Sequence, residues 1–291
     1  MEGIPLGSSY TWSEARRRGV TRRQIAADGV AIGRGLYLSR AVEPTLAERC
    51  RAWAGLLPAD AAFGLGTATA LYGVTDPEPH ALHVVLRPRS VLPQQTELTV
   101  HARRLTDEDV VVHGDLRLTS GPQTYLDMAA RLLAPDLLAL GDALMHAGHM
   151  DSEALERRLS RADRVRGVVR AREWAPHLSG RAASPRESWL RYCLLASDLP
   201  DPVMQVPIVD RWGRAVVHAD LGYPAWKLAL EYEGRQHAER EQFDRDIDRY
   251  SLMAADGWLV LRFGARNSGA GVVVERTRRA LLSRGWQPGL S

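Results

Sequence analysis

The sequence predicts a mixed α/β protein built from three parts, and three observations support this fold class. Within residues 1–42, two short helical patterns precede a hairpin pattern centred on a Gly-Arg-Gly turn. Residues 43–180 combine helical patterns with three strand-like runs, which is typical of an α+β region. Residues 181–291 alternate helix and strand, and this order predicts a sheet flanked by helices.

Composition argues against a membrane-spanning or disulfide-based architecture. The 291 residues are 45% hydrophobic and 25% charged, which is ordinary for a globular chain. The most apolar stretch is interrupted by Pro135 and Asp142, so it predicts buried helices and not a membrane span. Two distant cysteines, Cys50 and Cys193, make neither a disulfide framework nor a zinc site. Because the N-terminus lacks the order of a signal peptide, we expect a cytoplasmic protein without membrane contact.

The first 42 residues predict a winged helix-turn-helix. Trp12–Arg18 has a short helical pattern that ends at a glycine. Thr21 caps the next helix, and Gln24 occupies the reciprocal position of a capping box. The hairpin that follows turns at Gly33-Arg34-Gly35 and forms the wing.

Positive charge is concentrated in this first segment. Up to position 40 the chain holds seven basic and three acidic residues, a net charge of +4, whereas the whole chain carries +3. Arg22 and Arg23 lie at the start of the second helix and Arg34 at the wing tip, so we expect all three to contact DNA. The alternative is a small structural domain whose arginines are merely solvated.

The middle region, residues 43–180, predicts helices around a small antiparallel sheet. The predicted helices are Pro44–Leu57, Ala61–Tyr72, Pro122–Leu133, Pro135–His146 and Asp151–Leu159. The predicted strands are His83–Pro88, Glu97–Leu105 and Asp109–Ser120. His146 and His149 have a spacing that can bind metal on a helix, but no third ligand is near in sequence. We therefore interpret them as two ordinary surface histidines.

The C-terminal part begins near Gly180 and predicts an α/β domain. The predicted helices are Ser184–Ala196, Glu239–Asp256 and Gly271–Arg284. The predicted strands are residues 203–209, 214–221, 227–233 and 258–263.

Acidic residues at neighbouring strand ends predict a metal site in this domain. Asp220 lies at the end of one strand, and Glu231 and Glu233 share one face of the next because side chains alternate along a strand. Acids on an otherwise apolar strand are costly unless a cation neutralises them. We therefore expect Asp220 and Glu231 to bind Mg²⁺, or Mn²⁺, and His237 to act as a general base or a ligand.

The same residues carry a resemblance to a known family. Asp220, the Glu231-Tyr232-Glu233-Gly234 run, His237, Phe243, Asp246, Arg249 and the GWLVLRF strand occur in the order that is typical of the DUF559 family. That family is related to the very-short-patch-repair endonucleases of the PD-(D/E)xK superfamily. The resemblance implies a restriction-endonuclease-like domain with a central mixed sheet flanked by helices.

The resemblance also assigns roles to single residues. It implies metal binding by Asp220 and Glu231, with the helix-borne Glu187 as a further ligand. Glu233 stands where the superfamily has lysine, a departure that Lys227 or His237 would have to compensate. Glu187 equally fits a plain capping box with Ser184. Glu233 equally fits a peripheral acid paired with a basic residue such as Arg249, and His237 equally fits an exposed and inert loop position.

A second resemblance concerns the N-terminal segment and the LTSGPQTYLDMA run at Leu118–Ala129. Together they resemble the AbiEi-type antitoxins, in which such a region precedes nuclease-like domains.

Two functions follow from these patterns. The first is a DNA endonuclease or nickase that hydrolyses phosphodiester bonds in DNA repair or phage defence, with Arg249 and Arg262 as further phosphate contacts. The alternative is a non-catalytic DNA-binding transcriptional regulator of the AbiEi antitoxin type, in which a degenerate nuclease fold serves as a scaffold or a homodimerisation unit.

Overall fold

A computed structural model describes residues 6–74, 79–209, 215–233 and 250–289. The chain divides into two compact units, one formed by Met1–Arg131 and His149–Glu173 and the other by Leu132–Gly148 and Trp174–Ser291. Within the described residues, helices accompany a three-stranded, a four-stranded and a five-stranded sheet. The predicted mixed α/β fold class is thereby confirmed.

The first unit begins with two short helices and a three-stranded antiparallel sheet of order β1-β3-β2. Its elements are β1 (Ser9–Thr11), α1 (Trp12–Arg17), α2 (Arg22–Asp28), β2 (Gly29–Gly33) and β3 (Leu36–Ser39). Reciprocal capping boxes start both helices, at Thr11 with Glu14 and at Thr21 with Gln24, so the predicted second box is present. Each box satisfies backbone donors that a helix start leaves without partners, which fixes where these short helices begin.

A small apolar core holds this segment together. Tyr10, Ala15, Val20 and Ile25 are buried and pack in one cluster. With one buried residue in α2, the rest of that helix faces away from the core.

The remainder of the first unit surrounds a five-stranded mixed sheet of order β6-β5-β4-β8-β7. Its strands are β4 (Ala62–Phe63), β5 (Leu82–Leu86), β6 (Leu98–Ala102), β7 (Val110–His113) and β8 (Leu116–Thr119). Its helices are α3 (Leu46–Ala54), α4 (Leu65–Leu71), α5 (Gly121–Ala129), α7 (Ser152–Ser160) and α8 (Val168–Trp174), the last residue of which is assigned to the second unit.

Three predictions for this region were wrong in detail. The predicted helix Ala61–Tyr72 starts late, because Ala62 and Phe63 pair with β5 and β8 before α4 begins. The predicted strand Asp109–Ser120 is a hairpin that turns at Gly114, whose φ of 62° suits glycine. The sheet is mixed and not antiparallel, because β5 pairs with β6, and β4 with β8, in parallel.

The second unit contains a four-stranded sheet of order β12-β11-β10-β9. Its strands are β9 (Val203–Val209), β10 (Ala215–Tyr223), β11 (Leu228–Glu233) and β12 (Leu259–Gly264). Its helices are α6 (Ala134–His146), α9 (Pro185–Leu195) and α10 (Ala270–Ser283), and residues 250–255 are also helical. The β11–β12 pair is parallel and the other pairs are antiparallel.

Two apolar clusters flank the strand β11. Leu228 and Leu230 pack with residues of α9 and α10, whereas Ala229 packs with Met253 in a second cluster. This alternation is what a strand buried on both faces requires. In the described residues, no helix is both long and apolar enough to cross a bilayer.

Candidate nucleic-acid interface

Three exposed arginines project from the segment that contains α1, α2, β2 and β3. Arg22 and Arg23 open α2, and Arg34 sits in the turn between β2 and β3. Within the part of the chain that the structure describes, none of the three side chains forms a hydrogen bond or an ion pair. Their positive charge is therefore available to an anionic partner such as a phosphate backbone.

Local hydrogen bonds fix α2 in place. The Gln24 side-chain oxygen accepts from the Thr21 amide at 2.8 Å and from the Thr21 hydroxyl at 2.7 Å. At the other end, the Asp28 carboxylate accepts from the Tyr10 hydroxyl at 2.9 Å and from the Ser39 hydroxyl at 3.1 Å. Burial, together with the Asp28 carboxylate, raises the pKa of Tyr10 to about 12, so this bond persists at neutral pH. The helix is thus tied to β1 and β3.

The hairpin is anchored to the same framework. Gly35 has a φ of 75°, a left-handed conformation that favours glycine, and its carbonyl accepts from the Trp12 amide at 2.8 Å. Gly33 lies against the indole of Trp53 in α3, and a Cβ built there would be 2.3 Å from the ring atom Cζ2. The predicted tip residue Arg34 is accordingly held at a defined position beside α1.

The predicted acidic site lies in the second unit, with Glu231 and Glu233 in the second half of β11. The prediction that Asp220 ends its strand was wrong, because β10 continues to Tyr223. The antiparallel pairing of β10 with β11 ends at Leu221 and Leu230, so Asp220 and Glu231 each lie one residue beyond the last registered pair. The Tyr232 amide donates to the Asp220 Oδ2 atom at 3.0 Å, which fixes that carboxylate next to β11. This bond places the Asp220 carboxylate beside the residue that follows Glu231.

Tyr250 is a member of this site that the sequence analysis missed. Its hydroxyl donates to Glu231 Oε2 at 2.7 Å and lies 3.5 Å from Glu233 Oε1. Contact of one hydroxyl with both acids agrees with the prediction that they share a strand face. No sequence signal identified Tyr250, because the contact arises only when the chain returns to the sheet 19 positions after Glu231.

Arg262 is engaged within the domain. It forms an ion pair with Glu233, and its guanidinium carbon lies 4.4 Å from the centroid of the Tyr250 ring. Glu233 thus has a basic partner among the described residues, in line with the interpretation of a peripheral acid. The predicted phosphate contact by Arg262 would have to compete with this pair.

Glu187 is bonded as a helix cap. Its two carboxylate oxygens accept from the Ala183 amide and the Ser184 hydroxyl, each at 3.0 Å. Burial raises the pKa of Glu187, the Ala183 bond opposes this, and the Asp220 charge raises it further. Glu187 therefore fits the capping interpretation, and it lies close enough to Asp220 for that charge to affect its pKa.

The described residues do not complete a metal centre. Across residues 6–74, 79–209, 215–233 and 250–289, no group of three or more His, Cys, Asp or Glu side chains could hold a metal ion. His237 and Arg249 lie outside the described residues. Lys227 lies at a left-handed turn before β11, with a φ of 46°, and its Nζ donates to the Asp256 carbonyl at 2.9 Å.

The two histidines with metal-like spacing have separate contacts. His146 Nδ1 lies 2.9 Å from the Gly180 carbonyl oxygen. The His149 ring packs against the Tyr72 ring, with centroids 4.3 Å apart.

Comparison with known proteins identifies relatives over most of the chain. Two proteins of Mycobacterium tuberculosis, uncharacterized protein MT2308 of strain CDC 1551 / Oshkosh and uncharacterized protein Rv2248 of strain H37Rv, are each 32% identical over 234 residues. The match covers 80% of this chain and 84% of each relative. The chain belongs to their family. Within this family member, residues 60–176 match the AbiEi antitoxin C-terminal domain, which confirms the AbiEi-like part of the resemblance seen in the sequence.

A solved structure is also similar to this family member. The crystal structure of the RV2827C protein from Mycobacterium tuberculosis matches 69% of this chain and 80% of its own, with a TM-score of 0.45 and 18% sequence identity. The resemblance of the last hundred residues to DUF559 proteins stays a prediction.

Proposed function

We propose that this chain is a DNA-binding transcriptional regulator of the AbiEi antitoxin type, with residues 1–42 as its winged helix-turn-helix. The observation that carries the proposal is the set of exposed arginines on α2 and at the hairpin turn, which have no ionic partners among the described residues. The match of residues 60–176 to an antitoxin domain supports it independently.

The geometry suits a DNA backbone for a physical reason. Exposed arginines at the start of a recognition helix and at a hairpin tip can neutralise phosphates and release bound counterions, and this term dominates affinity. The capping bonds at Thr21 and the Asp28 bonds to Tyr10 and Ser39 hold the α2 backbone in place, so the helix loses little conformational entropy when DNA binds.

Binding to duplex DNA tests the proposal. The Arg22→Ala and Arg23→Ala double variant should lose most of its affinity for labelled DNA, measured by fluorescence anisotropy at fixed salt. The matched control is the Arg276→Ala and Arg279→Ala double variant, which removes two exposed arginines three positions apart on α10. Equal affinity of wild type and the α2 variant would contradict the proposal.

The antitoxin role has its own test. Each gene that neighbours the one encoding this chain can be expressed alone and together with the chain. If the chain is an antitoxin, one neighbour arrests growth when expressed alone, and co-expression restores growth. Absence of any toxic neighbour, or failure of the chain to rescue growth, would contradict this role and leave DNA binding to be judged separately.

A second candidate function is metal-dependent cleavage of DNA. It is favoured by one observation, the bond from the Tyr232 amide to Asp220 Oδ2, which holds the Asp220 carboxylate beside the residue that follows Glu231. Mg²⁺ or Mn²⁺ bound there would act as a Lewis acid on a phosphodiester. Completion of such a site depends on residues outside the described ranges, His237 among them.

Cleavage assays separate the two functions. If the second candidate is correct, the purified chain nicks or cuts DNA with Mg²⁺ or Mn²⁺, and Asp220→Asn abolishes cutting while DNA binding persists. Cutting that survives in Asp220→Asn would mark a contaminating nuclease. DNA binding without cleavage at any metal concentration would leave the regulator as the function.

A further inference from the structure

We infer that α2 recognises guanine in the DNA major groove through Arg23, with Ala27 packed against the methyl group of a neighbouring thymine. This inference rests on the proposed function and goes further, because it names the bases that the regulator distinguishes. The outward face of α2 carries it.

The outward face is defined by the buried residue of the helix. Ile25 is 2% exposed and marks the side of α2 that faces the domain core. Residues on an α-helix are separated by about 100°, so Arg23 and Ala27, two positions before and after Ile25, lie on the opposite side. Both are exposed. Being four positions apart, they are neighbours on that surface.

On one flank of this face, the polar side chains are already engaged in bonds within the protein. The Gln24 side-chain oxygen accepts from both the amide and the hydroxyl of Thr21, and the Asp28 carboxylate accepts from Tyr10 and Ser39. The Gln24 side chain therefore caps α2, and the Asp28 side chain ties α2 to β1 and β3. The polar group left on the centre of the face is the Arg23 guanidinium.

The other flank allows a close approach to DNA. Ala26 and Ala27 are exposed, although exposed helix positions usually carry long polar side chains. Two methyl groups in their place let the helix backbone come near the groove floor, where a guanidinium reaches both O6 and N7 of guanine. An alanine methyl at that depth can contact the thymine C5 methyl. Arg22 and Arg34, away from the centre of the face, then contact phosphates.

Modified bases test these contacts directly. A duplex is first selected from a random pool with the full chain, and each guanine is then replaced by 7-deazaguanine, which lacks the N7 acceptor. We expect replacement at one position to weaken wild-type binding roughly tenfold. Replacement of one adjacent thymine by uracil, which lacks the methyl group, should weaken it by a smaller factor.

Variants assign each effect to its residue. Arg23→Met removes the donors but keeps an unbranched side chain, so it should bind the unmodified duplex less tightly and no longer respond to 7-deazaguanine. Ala27→Gln should bind less tightly than wild type, and replacing the thymine by uracil should no longer weaken its binding. Arg104→Met, the same change at an exposed arginine beyond β6, should respond to both replacements as wild type does.

The outcomes distinguish this inference from the proposed function. Sequence-selective binding that is unaffected by every 7-deazaguanine replacement would overturn the inference and leave the regulator standing, as would an unchanged response in Arg23→Met. Failure to bind any duplex above the level of the Arg22→Ala and Arg23→Ala variant would overturn both.

Discussion

Buried ionisable residues have the largest energetic consequences at the scale of single residues. The Asp142 carboxylate, on α6, accepts two bonds of 2.6 Å from the Arg191 guanidinium on α9, one of 2.7 Å from the Ser188 hydroxyl and one of 2.8 Å from the Ser179 amide. The side chains of Asp142 and Arg191 are 1% and 6% exposed. Burial raises the pKa of Asp142, and the Arg191 charge opposes the rise.

Arg191→Met should destabilise the chain strongly, because it leaves a buried carboxylate without its counter-charge. Loss of one partner of a buried pair costs about 3–5 kcal/mol. The measurement is urea unfolding at pH 7. Arg157→Met is the control, since Arg157 pairs with Glu153 on the exposed surface of α7, where such pairs contribute about 0.5 kcal/mol. Similar midpoints for the two variants would show that the Asp142 network contributes little.

A histidine pair gives a second prediction at the residue scale. His83 Nδ1 lies 3.0 Å from His101 Nε2 on the neighbouring strands β5 and β6. Burial lowers the pKa of His101 to about 4, with further repulsion from His83, Arg131 and Arg103. In the unfolded chain His101 regains its ordinary pKa of 6.5, so it binds a proton that the folded chain rejects.

The free energy of unfolding should therefore fall as the pH drops from 6.5 towards 4. Above pH 6.5, His101 is neutral in both the folded and the unfolded chain, and the loss of stability is absent. Urea midpoints at pH 7 and pH 5 measure the effect. His101→Gln should show a smaller drop between these conditions than the wild type, whereas His80→Gln, at an exposed position, should not. An unchanged drop in His101→Gln would assign acid sensitivity to other groups.

At the scale of elements, the hairpin of β2 and β3 depends on a close contact with α3. A Cβ at Gly33 would lie 2.3 Å and 2.9 Å from two carbons of the Trp53 ring, which is rigid and itself buried. Gly33→Ala should cost about 1–3 kcal/mol, as overpacking does, and should also weaken DNA binding by shifting Arg34. Gly55→Ala is the control, because its nearest atom is 3.8 Å away and its φ of −66° suits alanine.

Loss of stability without a change in DNA affinity would show that the wing does not take part in binding. Loss of affinity in Gly55→Ala as well would point to a general disturbance of α3. Urea unfolding and fluorescence anisotropy on the same preparations separate these outcomes.

Elements with strong local signals were predictable from the sequence. The capping box at Thr21 fixes the start of α2, and the Gly33-Arg34-Gly35 turn fixes the hairpin, because both depend on residues within a few positions of each other. The strand β4 was not predictable. Its two residues, Ala62 and Phe63, become a strand only through pairing with segments more than 20 positions away.

The same distinction applies to the acidic site. The shared strand face of Glu231 and Glu233 follows from strand periodicity, so the sequence was sufficient to predict it. The bonds of Tyr250 to Glu231, and of Arg262 to Glu233, depend on how the chain returns to the sheet. Periodicity within one strand contains no information about that return.

At the scale of the whole molecule, charge is unevenly distributed. The first 40 residues carry +4 and the full chain +3, which leaves −1 for all later residues. A chain whose remainder is close to neutral gains little from non-specific attraction to DNA outside its N-terminal segment. The salt dependence of binding should therefore report on a few arginines.

The final prediction follows from this distribution. Each phosphate neutralised by an arginine contributes about 0.9 to the slope of log affinity against log salt concentration. Arg22→Ala combined with Arg34→Ala should thus lower the magnitude of the slope by about 2 and weaken binding to all duplexes alike. Anisotropy titrations between low and physiological salt measure it, with Arg276→Ala and Arg279→Ala as the charge-matched control. If the salt-dependence slope changed only in the control, the DNA contact would lie on α10, and the N-terminal interface would be refuted.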